Sequence, residues 1–220
     1  MKDKYSVSNL NKFRQLREKG VYDKETVHKV LDAGLVAHVA FVEDGRAVVV
    51  PMIYGRHDET VYLHGARKAR VIRMLESNDR ICINVTLVDG IVLARSAFNS
   101  SMNYRSVTVF GTPQLIEAEA DKLYAMKVIS EHLMPGRWDE LRDPLDKEVK
   151  MTGVIEVSID TASAKIATGM PTDEPEDYEI PVWAGVLPLV SRLESLQDDD
   201  RLLPDVKASA AVRALQNRTL

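Results

Sequence analysis

Two Asp-Gly pairs, 44–45 and 89–90, each stand between apolar runs, and no other feature limits the fold of this chain as strongly. A two-residue connection with both φ angles positive matches the twist of antiparallel strands, and Asp-Gly is the dipeptide that best tolerates it. LVAHVAFVE (35–43) and RAVVVPMIY (46–54) therefore read as the arms of one hairpin, and ICINVTLV (81–88) and IVLARSAF (91–98) as those of a second. TVYLH (60–64), YRSVTVFGTPQLI (104–116), GVIEVSI (153–159) and SAKIAT (163–168) add further strands, with Gly111 and Pro113 marking a bulge or an edge.

Helical signals are few. Asp23 suits the cap of a helix through Ala33 that buries Val27, Val30 and Leu31 and ends at Gly34. A second helix is expected over 67–76, with Val71, Ile72 and Leu75 inward. A third is expected over 118–133, with Leu123, Met126, Ile129 and Leu133 on one face, ended by Pro135-Gly136. The first twenty residues read as an arm or short helix. Hairpin strands with few helices do not make alternating βαβ units. They predict a mainly β chain, an antiparallel barrel or sandwich with helices at its ends.

Composition removes several classes. At 220 residues the chain can bury a core without staples, and its one cysteine, Cys82, forms neither an internal disulfide nor a thiolate cluster. Cys82 alternates with apolar neighbours and reads as a buried hydrophobe. A net charge of −4 argues against general nucleic-acid binding. That average covers an asymmetry: residues 1–30 carry eight Lys/Arg against four Asp/Glu, whereas 172–200 carry nine Asp/Glu against Arg192. No run approaches the apolar length of a membrane span, and the charged start lacks the apolar core of a secretory signal, so a cytoplasmic protein is expected.

Three places could carry chemistry. HGARKAR (64–70) leaves a strand and enters a helix with Arg67, Lys68 and Arg70. It is either a solvated basic turn or an anion cradle; basic side chains at a helix start oppose its dipole, which favours the anion. Asn103, Tyr104, Arg105 and Ser106 crowd the head of a strand, as either a polar outer face or a set of hydrogen-bonding groups for a ligand. Trp183, between Pro181 and Pro188, either covers a flat ligand or plugs a barrel end. Histidines 28, 38, 57, 64 and 132 show no metal-binding spacing, and no P-loop, GxSxG or GxGxxG occurs.

Together VVVPMIYG (48–55), VYLHGARKAR (61–70), VDGIVLARSAFNSSMNYRSVTVFG (88–111), PGRW (135–138), SAKIATGMPTDEPEDY (163–178) and PVWAGVLPL (181–189) resemble the pyridoxamine 5'-phosphate oxidase-related, FMN-binding split-barrel proteins. The similar branch is that of flavin-nucleotide-binding and nitroimidazole-resistance proteins, and the resemblance spans roughly residues 12–190. It implies a six-stranded antiparallel split β-barrel over 21–190, with an arm at 1–20 and a tail at 191–220. It also implies a homodimer with flavin between subunits. Carried onto this chain, Met52, Ile53 and Tyr54 lie along the isoalloxazine. His64, Gly65 and Ala66 approach the ribityl phosphate, Arg70 pairs with it, and Lys68 adds a second charge. Asn103, Arg105 and Ser106 reach the flavin and Trp183 closes over the ring.

Ala69 stands where many relatives have serine, and FNSS (98–101) where close relatives often show histidine. The C-terminal arginine- and histidine-bearing motif of true pyridoxamine phosphate oxidases is absent, which argues against vitamin B6 oxidation. The expected function is an FMN-dependent oxidoreductase passing electrons to a flat acceptor such as a nitroaromatic or quinone, with His64 as its proton donor. A sensor or carrier holding flavin or haem without turnover is the alternative. A ligand-free interaction protein using the acidic 172–200 stretch is a third reading. Neither metal, membrane nor nucleic acid is expected as a partner.

Overall fold

Asp44 and Gly45 form the expected turn, with φ angles of 49° and 73°. They join β2 (Val36–Glu43) to β3 (Arg46–His57) in a hairpin whose register runs from Glu43↔Arg46 to Val36↔Ile53. A computed structural model describes residues 3–219. Within these, β1 (Gly20–Val21), α1 (Lys24–Ala33), β4 (Thr60–Ala66), α2 (Arg70–Ser77), β5 (Ile81–Leu93), β6 (Ser101–Leu115), α3 (Glu119–Leu133), α4 (Asp146–Met151), β7 (Thr152–Ala167), β8 (Gly185–Pro188) and α5 (Ala210–Leu215) complete the elements. The strands bond in the order β1-β7-β4-β3-β2-β5-β6, β7 also pairs with β6, and β8 adds to β5. The result is a mainly β, antiparallel partial ring of strands, the split-barrel pattern.

The chain divides into two compact units. One comprises the residues up to Gly34 with Asn84–Val109 and Thr161–Val190; the other comprises Leu35–Ile83, Phe110–Asp160 and the residues from Ser191 onward. In the second unit β3 pairs with β4, and β4 with β7 in the register Thr60↔Ser158 to Ala66↔Thr152. Its core holds Val39, Tyr54, Val61, Leu63, Ile72, Leu75 and Ile155, all essentially without exposure. In the first unit Asp23 caps α1 by accepting from the Thr26 backbone N–H and hydroxyl, which leaves Val27, Val30 and Leu31 facing inward. The N-terminal arm is not loose. The buried Asn11 amide donates to Ser6 O, Thr161 Oγ1 and Ala162 O, at 2.8–3.2 Å.

Four expectations need correction. The second Asp-Gly pair does not turn: β5 runs straight through it, and neither residue has a positive φ. β8 supplies ladder bonds to Gly90–Leu93, the Asp89 carbonyl accepts from the Leu189 N–H at 3.0 Å, and Arg105 holds the Asp89 carboxylate. These partners hold the pair extended, and the strand expected over 91–98 ends at Leu93. The strands read at 153–159 and 163–168 are one, β7. α2 starts at Arg70 rather than 67. On α3 the buried stripe is Lys122, Ala125 and Ile129, so a lysine takes a core position that apolar spacing alone had assigned elsewhere.

Where α3 crosses β3, Gly55 is obligatory. A Cβ there would lie 2.7–2.8 Å from the backbone of Ile129. Overpacking of this kind costs about 1–3 kcal/mol. Gly55→Ala should therefore lower the urea midpoint by a corresponding amount with an unchanged m-value. An unchanged midpoint would show that α3 is free to lift.

Candidate functional site

β4 is covered on both faces: Val61, Tyr62 and Leu63 are buried, and the strand then surfaces through His64, Gly65 and Ala66. The emergence has a steric cause. Gly65 pairs with Gly153 across β4 and β7, and Ile72 of α2 sits over both. A Cβ on Gly153 would lie 2.6 Å from Ile72 Cγ2, and one on Gly65 3.2 Å from Ile72 Cγ1. Two glycines thus let α2 settle onto the sheet. Residues 67–69 make the connecting turn, with Ala69 N–H donating to Ala66 O at 2.8 Å. Ala69 is the N-cap and offers no side-chain hydrogen bond to the first turn. The amino end of α2 therefore presents N–H groups and partial positive charge beside the exposed Lys68 and Arg70.

The charges differ in their partners. Arg67 is tied to Glu76 by two hydrogen bonds of 3.0 and 3.2 Å. Arg70 Nε donates to Glu43 Oε1 at 3.0 Å and its Nη2 to Glu43 Oε2, which raises the guanidinium pKa and lowers that of the carboxyl. Lys68 is exposed. His64 is largely buried, and its Nδ1 is sealed from water without a hydrogen-bond partner. Burial disfavours its charged form and lowers its pKa. Cys82 is half-buried rather than buried as expected, because alternation along β5 turns Ile81, Ile83 and Val85 inward and Cys82 to the other face; partial burial still raises its thiol pKa.

On β3, Met52 and Tyr54 point inward and only Ile53 turns outward, 38% exposed. Tyr54 packs on His132 with ring centroids 4.7 Å apart, so any ligand beside 52–54 meets main chain and Ile53.

Asn103, Arg105, Ser106 and Trp183 belong to the other compact unit. Arg105 donates to both oxygens of Asp89, from Nε at 2.9 Å and Nη2 at 2.7 Å, and this pairing raises its pKa. Asn103 Nδ2 donates to Gly169 O at 3.0 Å. Trp183 is 68% exposed and its ring lies against Gly185, where a Cβ would come within 2.8 Å. Sequence reasoning missed Glu43 and Asp89, the carboxylates that hold the two site arginines. Asp89 was hidden by its resemblance to a turn; Glu43 had no signal beyond its place beside one. It also missed a buried anchor, Asp173, which accepts from the Arg95 N–H and Nη1 at 2.9 and 3.0 Å while Arg95 stacks over Tyr178.

A split barrel in which a strand paired on both sides feeds a basic helix without a side-chain N-cap defines the class of protein. The chain belongs to the pyridoxamine 5'-phosphate oxidase family, whose model matches residues 23–166. Among solved structures it is similar to the flavocytochrome Anf3 from Azotobacter vinelandii, at 37% identity and a TM-score of 0.90, covering 96% of this chain and 98% of that one. It is also similar to an FAD and heme binding protein from Mycobacterium smegmatis, at 32% identity and a TM-score of 0.86 over 90% and 98%. A protein named for 5-nitroimidazole antibiotic resistance, from Bacteroides thetaiotaomicron, matches at 26% identity and a TM-score of 0.58 over 67% and 86%. Comparison with curated proteins gives no match. Among the described residues no helix is long and apolar enough to cross a membrane.

A group whose pKa is depressed by folding adds stability that is full above its unfolded value and is lost as the pH falls. For His64 that loss begins below 6.5. Relative to His64→Gln, the wild-type thermal midpoint should drop as pH is lowered from about 7 to about 5. Parallel midpoint curves would show that His64 titrates as it does in the unfolded chain.

Proposed function

We propose that this chain is a flavin-binding redox protein in which the β4–α2 segment holds the flavin phosphate. One observation carries this reading: Lys68 and Arg70 crowd the amino end of α2, where positive charge opposes the helix dipole, and Glu43 offsets only Arg70, leaving Lys68 and the helix start for an added anion. The residues present fit such a group. Gly65 and Gly153 set α2 low enough for the β4 main chain and the helix start to face one ligand, and His64 Nδ1 has no protein partner. The Arg70 fork, now spanning a carboxylate, suits a phosphate in the same bidentate manner. Lys68 adds charge without fixed geometry.

When bound, a flavin supplies the two-electron redox chemistry that side chains lack. The residues of the β4–α2 unit bind and orient it, with Ile53 offering an apolar contact; in the other unit Asn103, Arg105 and Ser106 present donors and the exposed Trp183 presents a face for stacking. His64 is neutral at pH 7, so it moves a proton by accepting at one ring nitrogen while giving from the other, rather than as a ready imidazolium donor. Phe98, 99% exposed, together with Trp183 and Val190, supports a homodimer in which a second copy covers these side chains. The acceptor we propose is a small flat molecule, nitroaromatic or quinone-like.

The family resemblance favours FMN, and the naming of the Mycobacterium smegmatis neighbour favours FAD. Both carry the ribityl phosphate, and we favour FAD because that neighbour matches over 90% of this chain. A second reading adds haem, because both neighbours that match nearly the whole chain are named for haem or cytochrome character.

The absorbance spectrum of the purified protein separates these readings. Flavin bands are expected, a Soret band would add haem, and chromatography of acid-released cofactor tells FAD from FMN. Arg70→Ala should weaken flavin binding by about tenfold or more with unchanged circular dichroism. A colourless protein with no affinity in flavin titration would overturn the proposal, and unchanged affinity in Arg70→Ala would overturn the phosphate assignment.

A further inference from the structure

The second compact unit contains a cavity of about 430 Å³ between α3, the Trp138–Glu140 turn, α4 and β7. Its walls are apolar: Leu123, Met126, Trp138, Leu141, Val149 and Val154 line it. The size and lining are those of a small-molecule site. Lys122 is also in the lining, although it is only 8% exposed. Among the described residues it has no hydrogen bond or ion pair. The lysine stem is buried on the core stripe of α3, and its ammonium is left for a partner that the protein does not supply.

None of the other charged groups at the cavity is hydrogen-bonded or ion-paired to Lys122. Arg142 donates to both oxygens of Glu148, at 3.0 and 2.5 Å, and Glu148 also accepts from the Leu145 N–H at 2.9 Å. These bonds hold Glu148 ionised, with a pKa of about 2, so the pair is internally balanced. Asp143 lies exposed in the loop at the same cavity. The backbone of the turn that carries Trp138 is held in place. Glu131 accepts from the Gly136 N–H at 2.6 Å and the Trp138 N–H at 3.1 Å. Ser209, at the start of α5, donates to Glu140 at 2.6 Å. The lining includes no histidine, so this cavity is unlike that of a histidine-ligated haem.

We infer that the cavity is a binding site for a small amphipathic anion, an apolar or aromatic body bearing one acidic group, with Lys122 as its counter-charge. Thr152 and Val154 of its wall pair with Ala66 and His64 across β7 and β4, and the inference does not depend on the reading given for the β4–α2 segment.

Anilinonaphthalene sulfonate and its uncharged analogue phenylnaphthylamine test this on the full chain, with energy transfer from Trp138 as the readout. The sulfonate should bind about tenfold more tightly than the neutral probe. Lys122→Met should erase that preference by weakening the sulfonate alone, while Lys122→Arg retains it. Trp138→Phe should remove most of the energy transfer, and Met126→Trp, which fills the cavity, should abolish binding of both probes. Equal binding of the two probes by wild type, a sulfonate affinity unchanged in Lys122→Met, or binding that survives Met126→Trp would overturn the inference. If Lys122→Met fails to fold, Lys122→Arg, Trp138→Phe and Met126→Trp still decide it.

Discussion

The arrangement of the second unit depends on how closely one helix can approach one strand. Gly55 removes the only atom that would hold Ile129 away from β3, so α3 rests backbone to backbone on the sheet. With that contact fixed, helical geometry sets the rest. Ala125 and Ile129 join Tyr62, Ile116 and Val154 in the core, and Met126 packs beside them. Tyr124 reaches over the sheet edge, where it meets His57 and Tyr62 edge-on. One turn before Ala125, Lys122 is carried into the same interior. At the other end Glu131 is placed to gather the N–H groups of the 136–138 turn. A missing methyl thus decides where a lysine stem enters the core and where the turn bearing Trp138 is anchored.

A second theme is the pairing of every prominent arginine in the two candidate segments with a carboxylate. Arg67 has Glu76, Arg70 has Glu43 and Arg105 has Asp89. These pairs are partly or largely exposed, so each adds little to stability. Their effect is geometric. A guanidinium held in a fork has already lost the rotamer freedom that binding an anion would otherwise cost, and an incoming phosphate has only to replace one acceptor by another. The neutral His64 fits the same setting, because it adds no charge of its own beside these cations.

Sequence patterns made a good part of this visible. The Asp44-Gly45 hairpin, the Asp23 cap and the strand-to-helix passage at 64–70 are local events, governed by turn chemistry and residues near one another in the chain. What could not be read arose from partners far away in sequence. Asp89-Gly90 has the signature of a turn, yet β8 and Arg105 hold it extended. Glu43 looks like one more solvated charge until α2 brings Arg70 to it. Lys122 breaks the apolar spacing of α3, and only the packing of α3 on Gly55 shows that its stem is interior. The direction in which 52–54 present their side chains was equally hidden, since alternation gives two faces without saying which meets a ligand.

The facing glycines of β4 and β7 have a consequence for how such a chain can change over generations. Gly65 and Gly153 stand far apart in sequence but form one floor under Ile72, and α2 stands on that floor. A bulkier residue at either place raises the helix. A substitution at 153 therefore acts on the orientation of an arginine eighty-odd residues upstream, so the two glycines would have to change together.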